Sequence, residues 1–218
     1  MLGIFGGTFD PVHFGHLRTA LEVKESIGFT ELRFIPCHIP PHRNQPQANS
    51  EQRLMMLKLA LLDAETGFSI DRRELDREGP SYMVDTLASL REEVADRPIC
   101  LILGYDAFAS LPKWHCWREL FNLANLAIMR RPDSPDIAFD NELSEILLKR
   151  RVEKPTDLHD NPFGKIVFLN VSQLAISASL IRNIIAHGKS ARYLLPDSVL
   201  DMIQTSGLYR TVKAEQSN

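Results

Sequence analysis

The chain has 218 residues and a mass of 24.7 kDa, long enough for one sizeable α/β domain with its own core. A formal charge of −3 and a pI near 6.2 exclude the clustered basic excess of a nucleic-acid footprint, and no apolar run approaches the ~20 residues of a membrane span. Cys37, Cys100 and Cys116 are odd in number and widely spaced, and no basic segment precedes a long apolar one, so a reduced, cytoplasmic protein without a signal peptide is expected.

A short apolar run, Leu2-Gly3-Ile4-Phe5, leads into Gly6-Gly7-Thr8-Phe9-Asp10-Pro11-Val12-His13-Phe14-Gly15-His16, and from Leu17 to Val23 the apolar residues recur at helical spacing. The eleven residues therefore form a strand-to-helix turn. Adjacent glycines let the backbone approach a ligand closely, and the unpaired N–H groups and dipole of the following helix suit a phosphate. No lysine closes the turn as in a Walker loop, and the dinucleotide Gly-x-Gly-x-x-Gly is absent. In their place stand His13 and His16, three residues apart and projected to one side, where imidazoles donate N–H to phosphate oxygens and change protonation as charge develops.

The first helix is expected over roughly 15 to 27, stopped by Gly28, with a second strand at Glu31–Pro36. That interval suits a right-handed βαβ crossover between parallel strands. The proline-rich stretch 37–46 is then a loop at a strand's carboxyl end, beside the ligand crevice, which puts His42 and Arg43 near phosphates. Cys37, His38 and His42 lie close to His13 and His16 in sequence, but no Cys-x-x-Cys pair occurs, and no metal site built by the protein is expected. Ser50 is read as the N-cap of the next helix with Arg53 at its third position, and Leu54–Leu62 as the packed body, its methionines filling gaps in the core.

Phe68–Asp71 reads as a short strand, 72–78 as a charged turn, and Ser81 as the N-cap of the following helix. Ile99–Leu103 is a continuous apolar run, as a strand covered on both faces requires. It ends in Gly104-Tyr105-Asp106, where a carboxylate could accept from both ribose hydroxyls. Both tryptophans follow, Trp114 and Trp117, at helical spacing, and Trp117 reads as core. Asn125–Pro132 is the fifth strand, and its terminal Arg130-Arg131 suits a polyphosphate clamp.

Residues 134–163 are polar and interrupted by prolines, with a short helix near 141–150; a lid or surface excursion is expected there, with no function for His159. Ile166–Leu169 returns to the sheet. Ser177, Ser179 and Arg182 then gather hydroxyls, free N–H groups and a guanidinium at a helix start, a second phosphate cradle. Gly188 closes that helix, the last helix covers 197 to 205, Gly207–Tyr209 ends the fold, and Lys213–Asn218 is a loose tail. The expectation is one α/β domain over 1–212, Rossmann-like, with a doubly wound, mostly parallel sheet and helices on both faces. Both cradles, the Gly-x-Asp and the arginines then converge on one crevice.

The run Gly6–His16 resembles the Gly-Gly-Thr-Phe-Asp-Pro-x-His-x-Gly-His signature of the bacterial nicotinate-nucleotide adenylyltransferases, within the His-x-Gly-His nucleotidyltransferases, and the resemblance continues in order to Tyr209. It implies adenylyl transfer from ATP to nicotinate mononucleotide by direct in-line attack, with magnesium arriving on ATP. ATP would be held by Gly6, Gly7, Thr8, Phe9, His13, His16, Gly104, Asp106, Arg131, Ser177, Ser179 and Arg182, with His13, His16 and Arg182 catalytic. The acceptor would meet Ser81, Tyr82, Thr86, Trp114 and His115, with His42 and Arg43 nearby. Cys37-His38, Met83, Asp133 and Ser179 depart from the family pattern. Nicotinamide mononucleotide or another phosphorylated acceptor, a sensor without turnover, and a monomer or a homodimer all remain open, and neither nucleic acid nor membrane is expected as a partner.

Overall fold

The computed structural model describes residues 1–41, 45–62, 64, 66–130, 137–172 and 174–211. His42, Arg43, Arg131 and the tail Lys213–Asn218 lie outside the described residues. Six strands form one sheet: β1 (Leu2–Gly7), β2 (Glu31–Pro36), β3 (Phe68–Ile70), β4 (Ile99–Gly104), β5 (Asn125–Arg130) and β6 (Ile166–Asn170). Their order is β3-β2-β1-β4-β5-β6, and every pairing among them is parallel. The expected doubly wound sheet is thus wholly parallel over these strands.

The apolar runs of β4, β5 and β6 are continuous because these strands are covered on both faces. Along β4, Cys100 and Ile102 face one core while Ile99, Leu101 and Leu103 face the other. β5 and β6 alternate in the same way, with Ala127, Met129, Val167 and Leu169 on the first side and Leu126, Ile128 and Ile166 on the second. The first face is covered by α1 (Phe14–Ile27), α2 (Ser50–Ala60), α7 (Ala178–Ala186) and α8 (Asp197–Ser206), through Val23, Leu57, Ile181 and Ile203. The second is covered by α3 (Met83–Val94), α4 (Tyr105–Ala109), α5 (Leu120–Leu123) and α6 (Asn141–Arg150), through Leu90, Phe108, Phe121 and Leu143. No helix among the described residues is long and apolar enough to cross a membrane.

The order reverses between β1 and β4, the neighbours from which the crossovers run outward in opposite directions. A crevice opens at the carboxyl ends of strands at such a switch point, and there the chain places Gly6-Gly7 and Gly104.

Several local expectations are corrected. α2 is capped by Asn49, not Ser50: the Asn49 side chain accepts from Gln52 N, and the Gln52 side chain accepts from Asn49 N, a reciprocal box one residue earlier than expected. The helix accordingly begins at Ser50 and ends at Ala60. Gly188 does close α7 as expected: the helix ends at Ala186, His187 is its cap, and Gly188 follows in the left-handed conformation. The described part of 134–163 is no lid: Leu143 and Leu158 are fully buried, and His159 Nε2 lies 2.6 Å from the Ile27 carbonyl oxygen, so the segment is a packed crossover from β5 to β6. None of the three cysteines is in a disulfide; Cys100 is fully buried, and burial pushes its thiol pKa up, so it is a core residue.

Candidate active site

The first cradle is built by β1, the following turn and the start of α1. Phe9 takes a left-handed backbone conformation at φ 51° and buries its ring. A Cβ on Gly7 would stand 2.9 Å from that ring, so only glycine permits the turn. The Phe9 ring meets the His16 imidazole edge-on at a centroid distance of 5.2 Å, and Phe5 meets it at 6.3 Å. These contacts fix the His16 ring from the core side.

His13 is the N-cap of α1 and makes no side-chain cap bond, which leaves its imidazole to the site. As the spacing predicted, His13 and His16 share one side: their rings stack with centroids 3.8 Å apart and planes 27° apart. Gly15 makes this possible, since a Cβ there would stand 2.9 Å from His13 Nδ1. His13 is only 5% exposed, and burial lowers its pKa to about 4. Burial therefore keeps its imidazole neutral at pH 7, an N–H donor facing the cleft.

The second cradle is the start of α7. Ser177 caps it as predicted, its side chain accepting from Leu180 N. Arg182 reaches back: one Nη donates to the Asp10 carbonyl oxygen at 2.6 Å and the other to Ser179 Oγ at 3.3 Å. The Ile176 carbonyl oxygen lies 3.4 Å from where a Gly15 Cβ would stand. The two helix starts, more than 160 positions apart in sequence, are thus neighbours. His13, His16, Ser177, Ser179 and Arg182 line a single cleft of about 1150 Å³.

Gly6, Gly7, Thr8 and Phe9 line the same cleft, as do Gly104 and Asp106 at the end of β4. Asp106 lies in the first turn of α4 with its carboxylate exposed, and nothing stands within 4 Å of a Cβ position at Gly104, so the space beside this pair is open. Arg130, the described member of the arginine pair, lays its guanidinium 5.3 Å from the centre of the Tyr105 ring.

Ser81, Tyr82, Trp114 and His115, the residues expected to meet the acceptor, line the cleft as well. Tyr82 and His115 stack with centroids 4.3 Å apart and planes 32° apart, and Trp114 is half-buried beside them. Ser81 is not the cap of α3; that position is Tyr82, and the Ser81 hydroxyl accepts from His38 N at 2.9 Å instead. Thr86 is fully buried and absent from the cleft wall, because its hydroxyl donates to Glu74 Oε1 at 2.7 Å and accepts from Arg77 at 3.2 Å. The Thr86 side chain is therefore held among these partners rather than in the cleft.

Three residues were not singled out from the sequence. Asp10 accepts from Gln47 N and Ala48 N with its two carboxylate oxygens, at 2.9 and 3.1 Å. Arg53, 1% exposed, donates to the carbonyls of Thr8, His38 and Ala48 and ties the phosphate turn to the loop after β2. Glu74 is buried in the cleft wall, and burial raises its pKa. Only Asp10 carried a signal, its place between the glycines and the histidines.

The chain matches the cytidylyltransferase-like family model over residues 4–184. It is 56% identical over 209 residues to a protein of Methylococcus capsulatus named probable nicotinate-nucleotide adenylyltransferase, covering 96% of this chain and 99% of the relative. A Pseudomonas putida protein of the same name is 47% identical, over 96% of this chain and 94% of the relative. Among solved structures, a Plasmodium falciparum nicotinic acid mononucleotide adenylyltransferase complexed with NaAD superposes with a TM-score of 0.70 at 16% identity, covering 95% of this chain and 96% of that one; it shares the fold.

Proposed function

The chain belongs to the nicotinate-nucleotide adenylyltransferases of the cytidylyltransferase-like family, and we propose that residues 1–212 act as one unit that transfers the adenylyl group of ATP to nicotinate mononucleotide. The products are nicotinate adenine dinucleotide and pyrophosphate, a step of NAD biosynthesis. The observation that carries this reading is that His16 and Arg182 face one cleft, their helix starts joined through Asp10.

The acceptor's 5′-phosphate is already an anion at neutral pH, so attack on the α-phosphorus of ATP needs no general base. The chain's contribution is alignment and charge stabilisation. The Gly6-Gly7-Thr8 backbone and His13 hold the triphosphate by neutral donors, and His16 donates to the α-phosphate. Ser177, Ser179 and Arg182 hold the β and γ oxygens that depart as pyrophosphate. Asp106 accepts from the ribose, and Trp114 with the Tyr82–His115 stack receives the pyridine ring.

The Asp10 carboxylate already accepts from two backbone amides, and no three His, Cys, Asp or Glu side chains gather as metal ligands among the described residues. Magnesium arriving on ATP would keep several of its waters and would supply neutralisation of the polyphosphate charge.

The test is pyrophosphate release from ATP with nicotinate mononucleotide or nicotinamide mononucleotide as acceptor. Faster release with the nicotinate form supports the reading, preference for the nicotinamide form reassigns the acceptor, and no release with either leaves a nucleotide sensor.

A further inference from the structure

Arg182 does not hold its position alone. Its Nη1 donates to the Asp10 carbonyl oxygen and lies 3.7 Å from Asp10 Oδ2. On the far side of the same carboxylate, the Tyr209 hydroxyl donates to Asp10 Oδ1 at 2.7 Å. Tyr209 arrives from the opposite end of the chain: α8 stops at left-handed Gly207, and Tyr209 itself has a φ of 64°, which turns its ring inward until it is 7% exposed. Burial and the carboxylate push its pKa far up, so the hydroxyl stays a donor at any workable pH. With Gln47 N and Ala48 N also on this carboxylate, three separate segments meet at Asp10.

We infer that Tyr209 is a positioning residue for the triphosphate: by holding the Asp10 carboxylate, its hydroxyl sets where Arg182 stands against the β and γ oxygens of ATP. This rests on the ATP reading above. The ring alone would fill the core, and only the hydroxyl reaches Asp10. Without it, Oδ1 keeps only Ala48 N and Oδ2 only Gln47 N, and the less firmly held carboxylate closes the 3.7 Å gap to Arg182 Nη1 and draws the guanidinium away from the cleft. The last turn of the fold thus belongs to the phosphate site although it touches no substrate.

Tyr209→Phe removes the hydroxyl and keeps the buried ring. ATP affinity is read by calorimetry without acceptor, in the wild-type and Arg182→Ala backgrounds, beside the KM of each substrate. The expected result is about tenfold weaker ATP binding in the wild-type background, under twofold in the Arg182→Ala background, and an unchanged acceptor KM. Equal losses in both backgrounds, or a lowered Tm with unchanged ATP affinity, would overturn the inference. If the variant melts low, the titrations run well below its midpoint. Wild-type protein that binds ATP yet releases no pyrophosphate with either mononucleotide contradicts the proposed reaction and leaves the inference standing, so the two failures are distinguishable.

Discussion

His13 and His16 stack face to face at 3.8 Å, and the partner buried deeper is the one whose pKa falls to about 4. The inner imidazole is thus neutral and the pair is a donor array rather than a couple of cations. Between pH 6.5 and about 4, the unfolded chain binds a proton at His13 that the folded chain refuses. Stability is therefore lost as pH falls through that window, by up to about 3 kcal/mol, and is fully present above it. Thermal melts at pH 7 and pH 4.5 should differ less in His13→Asn than in wild type; an unchanged difference would contradict the burial of this group.

Gly15→Ala places a Cβ 2.9 Å from His13 Nδ1 and 3.0 Å from its Cε1. The ring must swing and the stack must open. Turnover is expected to fall by roughly 10²-fold, while the melting temperature moves only a few degrees, because alanine suits a helix. Steady-state kinetics beside a thermal melt check both halves.

Arg53 donates to three backbone carbonyls and to Ser50 Oγ from a site that is 1% exposed. Lysine cannot reproduce that fork. Arg53→Lys should therefore cost about 2–3 kcal/mol, read from denaturant unfolding, because the Thr8 carbonyl in the turn after β1 and those of His38 and Ala48 in the loop after β2 lose donors.

Trp114 lines the cleft with the Tyr82–His115 ring pair, where the proposed function puts the acceptor's pyridine ring. Trp114→Ala should raise the KM for the mononucleotide about tenfold and leave that for ATP unchanged, as the loss of a stacking platform requires. A rise in both would place the indole elsewhere in the reaction.

The parts of the site that were legible in the sequence are those set by local chemistry. The glycine pair, the two histidines and the Ser177 cap each work within a few residues of their own positions, so spacing alone reveals them. The strands were legible because burial on both faces leaves unbroken apolar runs. What stayed hidden depends on contacts across the chain: Arg53 reaches Thr8 over 45 positions, and Tyr209 reaches Asp10 over 199. Of the two misplaced caps, only that of α3 has this origin; that of α2 is a local choice between neighbouring residues. Ser81 looked like a cap until the sheet brought His38 N to its hydroxyl, and Ser50 was displaced because Asn49 has Gln52 at the reciprocal position.

The most direct test is transfer of label from [α-³²P]ATP. With nicotinate mononucleotide present, the label should appear in nicotinate adenine dinucleotide, none should be bound to protein on quenching, and His16→Ala should slow its appearance at least about 10²-fold without lowering the melting temperature. Label retained on the protein, or near-normal transfer by His16→Ala, would contradict in-line transfer between the two helix starts.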